Sequence, residues 1–435
     1  MLHSGVAAQQ QQEQPSTSTS TSSSSPESND HYILRVATGN LRGAGTHSRV
    51  YLRLIGTQGS TTPYLIGGPE LTPLQRGTIH SLDVTVPRDI GTLRRVHVEK
   101  HYDSLTDSGT GWFLKHVEIQ GPQGDVQMFP CNNWLGASDC GGIMGPLERN
   151  LLPTIATQAT TAPAPVSVTG AGMSIPHPDK VKQGVKGVNR RGYGYGGEDA
   201  YFMTQGKNGV YGMGVADGVY MWKELGIDSG AMSRDLMTTA QQMVAGGHED
   251  VFKIMQQAAR HTTQHGIEGS ATACLATINT QQGQLHAANL GDSGFLLLGR
   301  SGDGGRGALD IKLRTNQLEH EFGCPFQLGH HRYANSVDDA DLVTHHVVPG
   351  DVLVMGTDGL LDNLGDSEIV REVQQCLTNG SSPGEAVRHL VKLAFEASMD
   401  RKRSTPYSRG ATEAFDMAYS GGKPDDITVL VAYCS

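Results

Sequence analysis

The chain has 435 residues, with 34 Lys and Arg against 44 Asp and Glu for a formal charge of −10. That length leads us to expect two or three domains, and no apolar run reaches the roughly 20 residues that span a bilayer. An acidic balance is unsuited to nonspecific contact with phosphodiester backbones, which needs concentrated Lys and Arg, so no nucleic-acid partner is expected.

Residues 1–30 hold a Gln run and a Ser/Thr run, with no Lys or Arg and almost no apolar side chains. Such a segment cannot bury enough surface to fold and reads as a disordered low-complexity tail. It shows neither the charged start and apolar core of a secretory signal nor the Arg-rich amphipathic pattern of an organellar one. The six cysteines have no Cys-x-x-Cys spacing, which fits reduced thiols rather than zinc and hence an intracellular, cytoplasmic setting.

Residues 31–141 carry ten Lys and Arg against nine Asp and Glu. Their β-branched and apolar runs at 32–36, 49–55, 79–86, 93–99, 113–119 and 127–129 are separated by Gly- and Pro-containing turns. This is the pattern of an all-β sandwich. The segments Thr38-Gly39, Gly43-Ala44-Gly45-Thr46, Arg76-Gly77, Leu93, Gly111-Trp112-Phe113-Leu114 and Phe129-Pro130-Cys131 resemble a PLAT (lipoxygenase-homology) domain. The resemblance implies localisation on a membrane surface or a protein partner, in some members with calcium. His47 stands where an Asp is usual, removing a carboxylate that calcium would want, so Ca²⁺ is not expected there. Residues 142–173 read as a linker, because 154–169 is rich in Ala, Thr and Pro and uncharged. The orientation of the two halves is accordingly expected to vary.

Past the first 141 residues the chain is acidic, with 24 Lys and Arg against 32 Asp and Glu. Three apolar runs at 211–215, 352–355 and 427–432 read as buried strands. The first two lead into Asp217-Gly218 and Asp358-Gly359, and Asp425-Asp426 precedes the third. A carboxylate at a strand end is held rigidly at the rim of a core, and a following Gly lets the chain turn sharply and bring a carbonyl near a ligand. Separated aspartates of this kind suit hard cations such as Mg²⁺ and Mn²⁺. Segments 272–279 and 285–290 are expected to pair as a hairpin. Asp366 or Ser367 is expected to cap a helix ending near Asn379-Gly380. Ser382-Pro383-Gly384-Glu385 opens another helix, with Val387, Leu390, Val391, Ala394 and Phe395 on its apolar face. Residues 301–307 read as a surface insertion, and His330-His331 and His345-His346 as surface or turn residues rather than ligands. Ser293 lies in no Gly-x-Ser-x-Gly elbow, and the glycines around Tyr193 open no nucleotide fingerprint.

Six motifs occur in order: Gly197-Glu198-Asp199-Ala200, Gly214-Val215-Ala216-Asp217-Gly218-Val219, Gly269-Ser270-Ala271-Thr272-Ala273, Asn289-Leu290-Gly291-Asp292-Ser293-Gly294, Gly356-Thr357-Asp358-Gly359-Leu360 and Asp425-Asp426-Ile427-Thr428-Val429. Together they resemble the PPM-type (2C-class) metal-dependent protein phosphatases over residues 174–435. Pro176-His177-Pro178-Asp179-Lys180 and Gly226-Ile227-Asp228-Ser229-Gly230 are similar to the organellar branch related to the T-cell-activation phosphatase homologue, which makes a chloroplast or mitochondrial location an alternative. The expected architecture is a PLAT-like all-β sandwich followed by an α/β phosphatase fold, a central β-sandwich flanked by α-helices.

The resemblance implies a serine/threonine phosphatase acting on phosphoproteins, in which two Mn²⁺ or Mg²⁺ ions activate a water. It implies that Asp217, Asp358 and Asp425 and the Gly218 carbonyl are direct ligands, with Glu198 and Asp199 beside them through water. Asp425 is chosen over Asp426 because the family pattern is Asp-Asn-Ile-Thr, leaving Asp426 at the Asn position. Three departures stand out. Val219 replaces the family's histidine acid; Gly194 falls near the place of the phosphate-binding arginine, leaving Lys180, Arg190 or Arg191, or a metal alone, for that task; and His265-Gly266-Ile267-Glu268 lacks the Asp of a third metal site. These departures motivate the alternative of a catalytically weak phosphoprotein-binding or scaffold module.

Overall fold

The computed structural model describes residues 30–40, 44–86, 90–101, 111–136, 147–151, 153, 165–300 and 307–435. Residues 1–29 of the expected tail, most of 154–169 and most of the 301–307 insertion lie outside them.

The first half is a sandwich of two four-stranded antiparallel sheets. One contains Ile79–Val86, Asp30–Thr38, Trp112–Gln120 and Val126–Leu135, and the other Tyr64–Gly67, Val50–Gly56, Leu93–Lys100 and Glu148–Leu151. Alternation along the strands turns Leu34, Val36, Leu52, Leu54, Val96, Val98, Val117 and Phe129 into one shared core. Two strands went unforeseen, Tyr64–Gly67 and Glu148–Leu151, and both lie at sheet edges, where short and charged strands are favoured.

The second half stacks two sheets face to face. The larger sheet runs, in spatial order, Val188–Arg190, Tyr193–Gly196, Asp199–Gln205, Val210–Asp217, Ala273–Asn279, Gln284–Leu290 and Asp341–His346. The smaller runs Leu309–Arg314, Gly294–Arg300, Val352–Gly356, Ile427–Cys434 and Val168–Ile175. Met213, Val215, Leu285, Phe295, Leu353, Met355 and Leu430 fill the space between them. Helices Ser229–Ala245 and Val251–Gln264 cover the outer face of the larger sheet, and Asp366–Thr378 and Pro383–Met399 that of the smaller. The expected hairpin forms with Asn279 opposite Gln284. The helix from Pro383 has its reciprocal Ser382–Glu385 cap. Gly365, rather than Asp366 or Ser367, caps the preceding helix. His345 and His346 end a strand, His345 partly buried and His346 exposed at the surface.

The 142–173 stretch is not all linker. Glu148–Leu151 pairs with Leu93–Lys100 of the sandwich, and Val168–Ile175 pairs along the whole of Ile427–Cys434. That last strand escaped notice because Gly170 and Gly172 interrupt its apolar pattern. They are required by close packing: a Cβ at Gly170 would come within 2.4 Å of Met203, and one at Gly172 within 2.4 Å of Leu430 and 2.6 Å of the Tyr201 ring. Nor do the halves hang apart. Asn132 Nδ2 donates to the Lys312 carbonyl at 3.3 Å, Asn133 donates to Asp310, and Arg149 pairs with Asp310 at 3.1 Å. These contacts dock the sandwich on the edge strand Leu309–Arg314 and oppose the freely varying orientation expected from linker composition.

Candidate active site

Asp199 opens one strand of the larger sheet and Asp217 ends its neighbour, and the antiparallel register sets them directly opposite. From the smaller sheet, Asp358 starts a one-turn helix just past Val352–Gly356, and Asp425 stands two residues before Ile427–Cys434, the strand paired with it. Four carboxylates from four strand ends therefore converge on one rim of the stacked sheets.

Burial and mutual repulsion shape their acidity. Asp199 is fully buried, and its Oδ2 accepts from the Thr357 hydroxyl at 2.8 Å and the Thr428 hydroxyl at 2.7 Å. Its Oδ1 has no hydrogen-bond partner among the described residues. Burial raises its pKa well above the usual carboxylate value, and the Asp426 charge adds to the rise. Asp217 is raised likewise by burial and then by Asp199, Asp358 and Asp425. Asp425 is pushed up to about 6 by burial and Asp358, with Lys423 pulling the other way.

Asp426 has a different task. Its carboxylate accepts from the His177 N–H at 2.6 Å, the Glu198 N–H at 2.8 Å and the Lys180 ammonium at 2.7 Å, which ties together three segments. Gly197 sits against it with φ +64°, and a Cβ there would lie 2.2 Å from its Oδ2. Gly218 is equally constrained, since a Cβ would fall 2.2 Å from the Ser229 carbonyl.

Of the three cations expected to bind phosphate, only Lys180 reaches this rim, where it pairs with Glu198 and Asp426 and stands 5.2 Å from the Tyr220 ring centre. Arg190 and Arg191 are exposed at the far turn of their hairpin. Arg190 lies opposite Tyr193, three residues along from Gly196, or about 10 Å by strand rise. Lys423 is the residue that the motifs did not reveal: its ammonium pairs with Asp358, with Asp362 at 3.2 Å and with Asp425 at 3.1 Å. Burial opposes its charge, but the carboxylates hold its pKa well above the ordinary value. Its position two residues before Asp425, and Asp362 one helical turn beyond Asp358, were the available signals.

Val219 brings no ionisable group, and its N–H donates to the Ser270 carbonyl at 2.9 Å. Beside it Trp222 Nε1 donates to Ser270 Oγ at 2.6 Å, and its ring meets those of His330 and His331 at 4.8 and 5.4 Å. His330 and His331 do occupy a surface turn, but one packed on this wall of the site. A cavity of about 480 Å³ opens next to Glu198, lined by Lys180, Lys186, Lys223, Arg234, Asp228 and Ser229 among others.

Among the described residues no three His, Cys, Asp or Glu side chains are drawn together as a finished metal cage. Lys180 and Lys423 bridge the carboxylates instead. The donor set nonetheless suits a hard divalent cation: oxygen ligands on rigid strand ends, charges that repel one another, and a buried Asp199 oxygen without a donor. A cation offsets each of these costs.

The sequence matches the PLAT/LH2 domain family over residues 32–147 and the family described as Stage II sporulation protein E (SpoIIE) over 225–434. It is 36% identical over 272 residues to probable protein phosphatase 2C 55 of Arabidopsis thaliana, covering 62% of this chain and 52% of that one. To the protein phosphatase PTC7 homolog of Xenopus laevis it is 33% identical over 264 residues, covering 58% and 85%. The solved structure of the photosystem II phosphatase PBCP superposes with a TM-score of 0.52 at 30% identity, over 61% of this chain and 98% of that one. The chain thus spans about half the length of the first of these relatives and most of the other two.

Proposed function

The chain belongs to the family of PPM-type (2C-class) protein phosphatases, PTC7 homologues among them, and from that premise we propose that it hydrolyses phosphoserine and phosphothreonine in proteins. The observation that carries this reading is the convergence of Asp199, Asp217, Asp358 and Asp425 on one rim. Asp217, Asp358 and Asp425 would hold Mn²⁺ or Mg²⁺ directly with the Gly218 carbonyl, and Asp199 and Glu198 would complete the set. Bound there, such ions lower the pKa of water and stabilise charge on phosphoryl oxygens. The residues of the chain do the rest. Thr357 and Thr428 fix the Asp199 carboxylate. Asp426 and Lys180 lock the 177–198 segments against the rim. Lys180 and the cations around the adjoining cavity attract the phosphorylated segment.

With Val219 in place of a side-chain acid, the leaving serine or threonine oxygen takes its proton from water or from another group at the rim. The sandwich, proposed to begin at about residue 30 and to end by 152, would serve to localise the enzyme on a membrane or protein partner without calcium. The likeness to a photosystem II phosphatase makes chloroplast phosphoproteins the first substrates to assay.

The test is turnover of a phosphothreonine peptide by the purified chain. Hydrolysis with Mn²⁺ that stops in EDTA is expected. Metal-independent hydrolysis would overturn the mechanism, and tight phosphopeptide binding with no hydrolysis would favour the scaffold reading.

A further inference from the structure

The sandwich touches the phosphatase half at a second place, and there the contact leads inward. The Asn40 N–H donates to Asn316 Oδ1 at 3.2 Å, and the Asn40 carbonyl accepts from the Gln317 N–H at 3.2 Å. Arg76 Nε donates to Asn40 Oδ1 at 2.7 Å, while its Nη2 reaches the Gln317 carbonyl at 3.4 Å and stands 3.8 Å from Glu319. The segment so gripped is tied on its other side to a turn of the carboxylate site. Gln317 Nε2 donates to the Asp292 carbonyl at 3.2 Å, and the Leu318 N–H donates to the Gly291 carbonyl at 2.8 Å. Asn289 Nδ2 closes the loop on the Asn316 and Gly291 carbonyls.

The turn has little room to rearrange. Gly291 has φ +111°, and a Cβ there would come within 2.6 Å of Thr272 and 2.8 Å of the Phe326 carbonyl. From it the contacts run to a candidate metal ligand: the hydroxyls of Ser293 and Thr272 bond at 2.9 Å, and Thr272 Oγ1 accepts the Asp217 N–H at 3.1 Å. The Asp292 charge is itself near enough to raise Asp217 and Lys423.

We propose that Asn40 and Arg76 of the PLAT-type sandwich are positioning residues for the phosphatase site, clamping the segment Asn316–Glu319 so that the turn Gly291–Ser293 and Asp217 are held in place. The sandwich is then part of the catalytic architecture as well as a tether. A contiguous chain of packed side chains and hydrogen bonds is the physical means by which one part of a fold holds another in place. The proposal uses the phosphatase reading only for its rate measurement.

The test compares the full-length chain with Arg76→Ala and with Gln317→Ala, which breaks the same path from the other half; Arg94→Ala, at an exposed site on the strand Leu93–Lys100 of the sandwich, is the control. Amide hydrogen exchange at Gln317, Leu318 and Asp217 is followed beside kcat and KM on a phosphopeptide. Both test variants should exchange faster at these three amides, by about tenfold, and lose kcat by about five- to twentyfold with KM within about twofold, a coupling of ordinary size. The control should match the parent. Unchanged exchange at the three amides in both folded variants overturns the clamp, as does faster exchange with an unchanged kcat. A parent chain without turnover would sink the phosphatase reading alone, because the exchange measurement still decides whether the sandwich holds the turn.

Discussion

Asp217→Asn should stabilise the metal-free protein and remove its response to metal. Asp217 faces Asp199 across paired strands, where Cβ atoms stand about 5 Å apart. Two carboxylates about 6 Å apart at an effective dielectric of about 20 repel by about 3 kcal/mol, and Asp358 and Asp425 add to this. The raised pKa values mean that the cluster already relieves part of the repulsion by holding protons, and Asp217 is only partly buried, so roughly 1–3 kcal/mol remains to be gained. For a domain of this size that is about 2–8 °C in Tm. With metal the order reverses. A parent chain bound at 100 times its Kd gains about 2.7 kcal/mol, and a variant short of a ligand gains much less. Thermal unfolding of both proteins in EDTA and in Mn²⁺ reads all four states. An Asn variant less stable than the parent in EDTA, or one with a full Mn²⁺ shift, would refute the placement of Asp217 in a repulsive metal-binding cluster.

Three further outcomes follow from the same geometry. Asp425, raised to about 6 from a usual 3.8, keeps its proton to a higher pH in the folded chain than in the unfolded one. Its contribution to stability is full below about pH 4 and is lost as pH rises through about 6. In EDTA the Tm of the parent relative to Asp425→Asn should therefore fall across that window, and a flat difference would show that Asp425 is not perturbed. Gly218→Ala forces a Cβ to within 2.2 Å of the Ser229 carbonyl and should cost about 1–3 kcal/mol of stability along with activity; an unchanged Tm would show that the start of the Ser229 helix yields freely. Val219→His should speed hydrolysis of phosphoserine peptide, with general-acid catalysis worth up to about 10²–10⁴-fold, and leave an aryl phosphate nearly unchanged. Equal effects on both substrates would mean that the new imidazole does not act on the leaving group.

Asp217 and Asp358 could be singled out because their signal is local, since an apolar run that ends in Asp-Gly needs only a strand and its turn, whereas Asp199 and Glu198 were named by resemblance alone. Asp425 and Asp426 could be told apart only by resemblance; in the structure Asp426 is taken up by His177, Glu198 and Lys180, while Asp425 meets Lys423. Lys423 was not legible, because its partnership with Asp358 depends on how the 416–426 loop returns to the site across the fold. Arg190 and Arg191 were plausible by sequence distance and fail by register, which carries them to the wrong end of the hairpin. The strand Val168–Ile175 hid behind glycines chosen for close packing, and composition taken as flexibility concealed a docked sandwich. Contacts such as Asn40 with Gln317, 277 residues apart, leave no periodicity to read.

The most direct test of the whole account is the binding of Mn²⁺ to the purified chain, followed by electron paramagnetic resonance together with phosphothreonine-peptide turnover, in the parent and in Asp358→Asn. Two ions per chain in the parent, with turnover rising as they bind, and loss of both signals in the variant are the result expected of a two-ion carboxylate site. Turnover without bound Mn²⁺, or full binding and turnover in the variant, would contradict it.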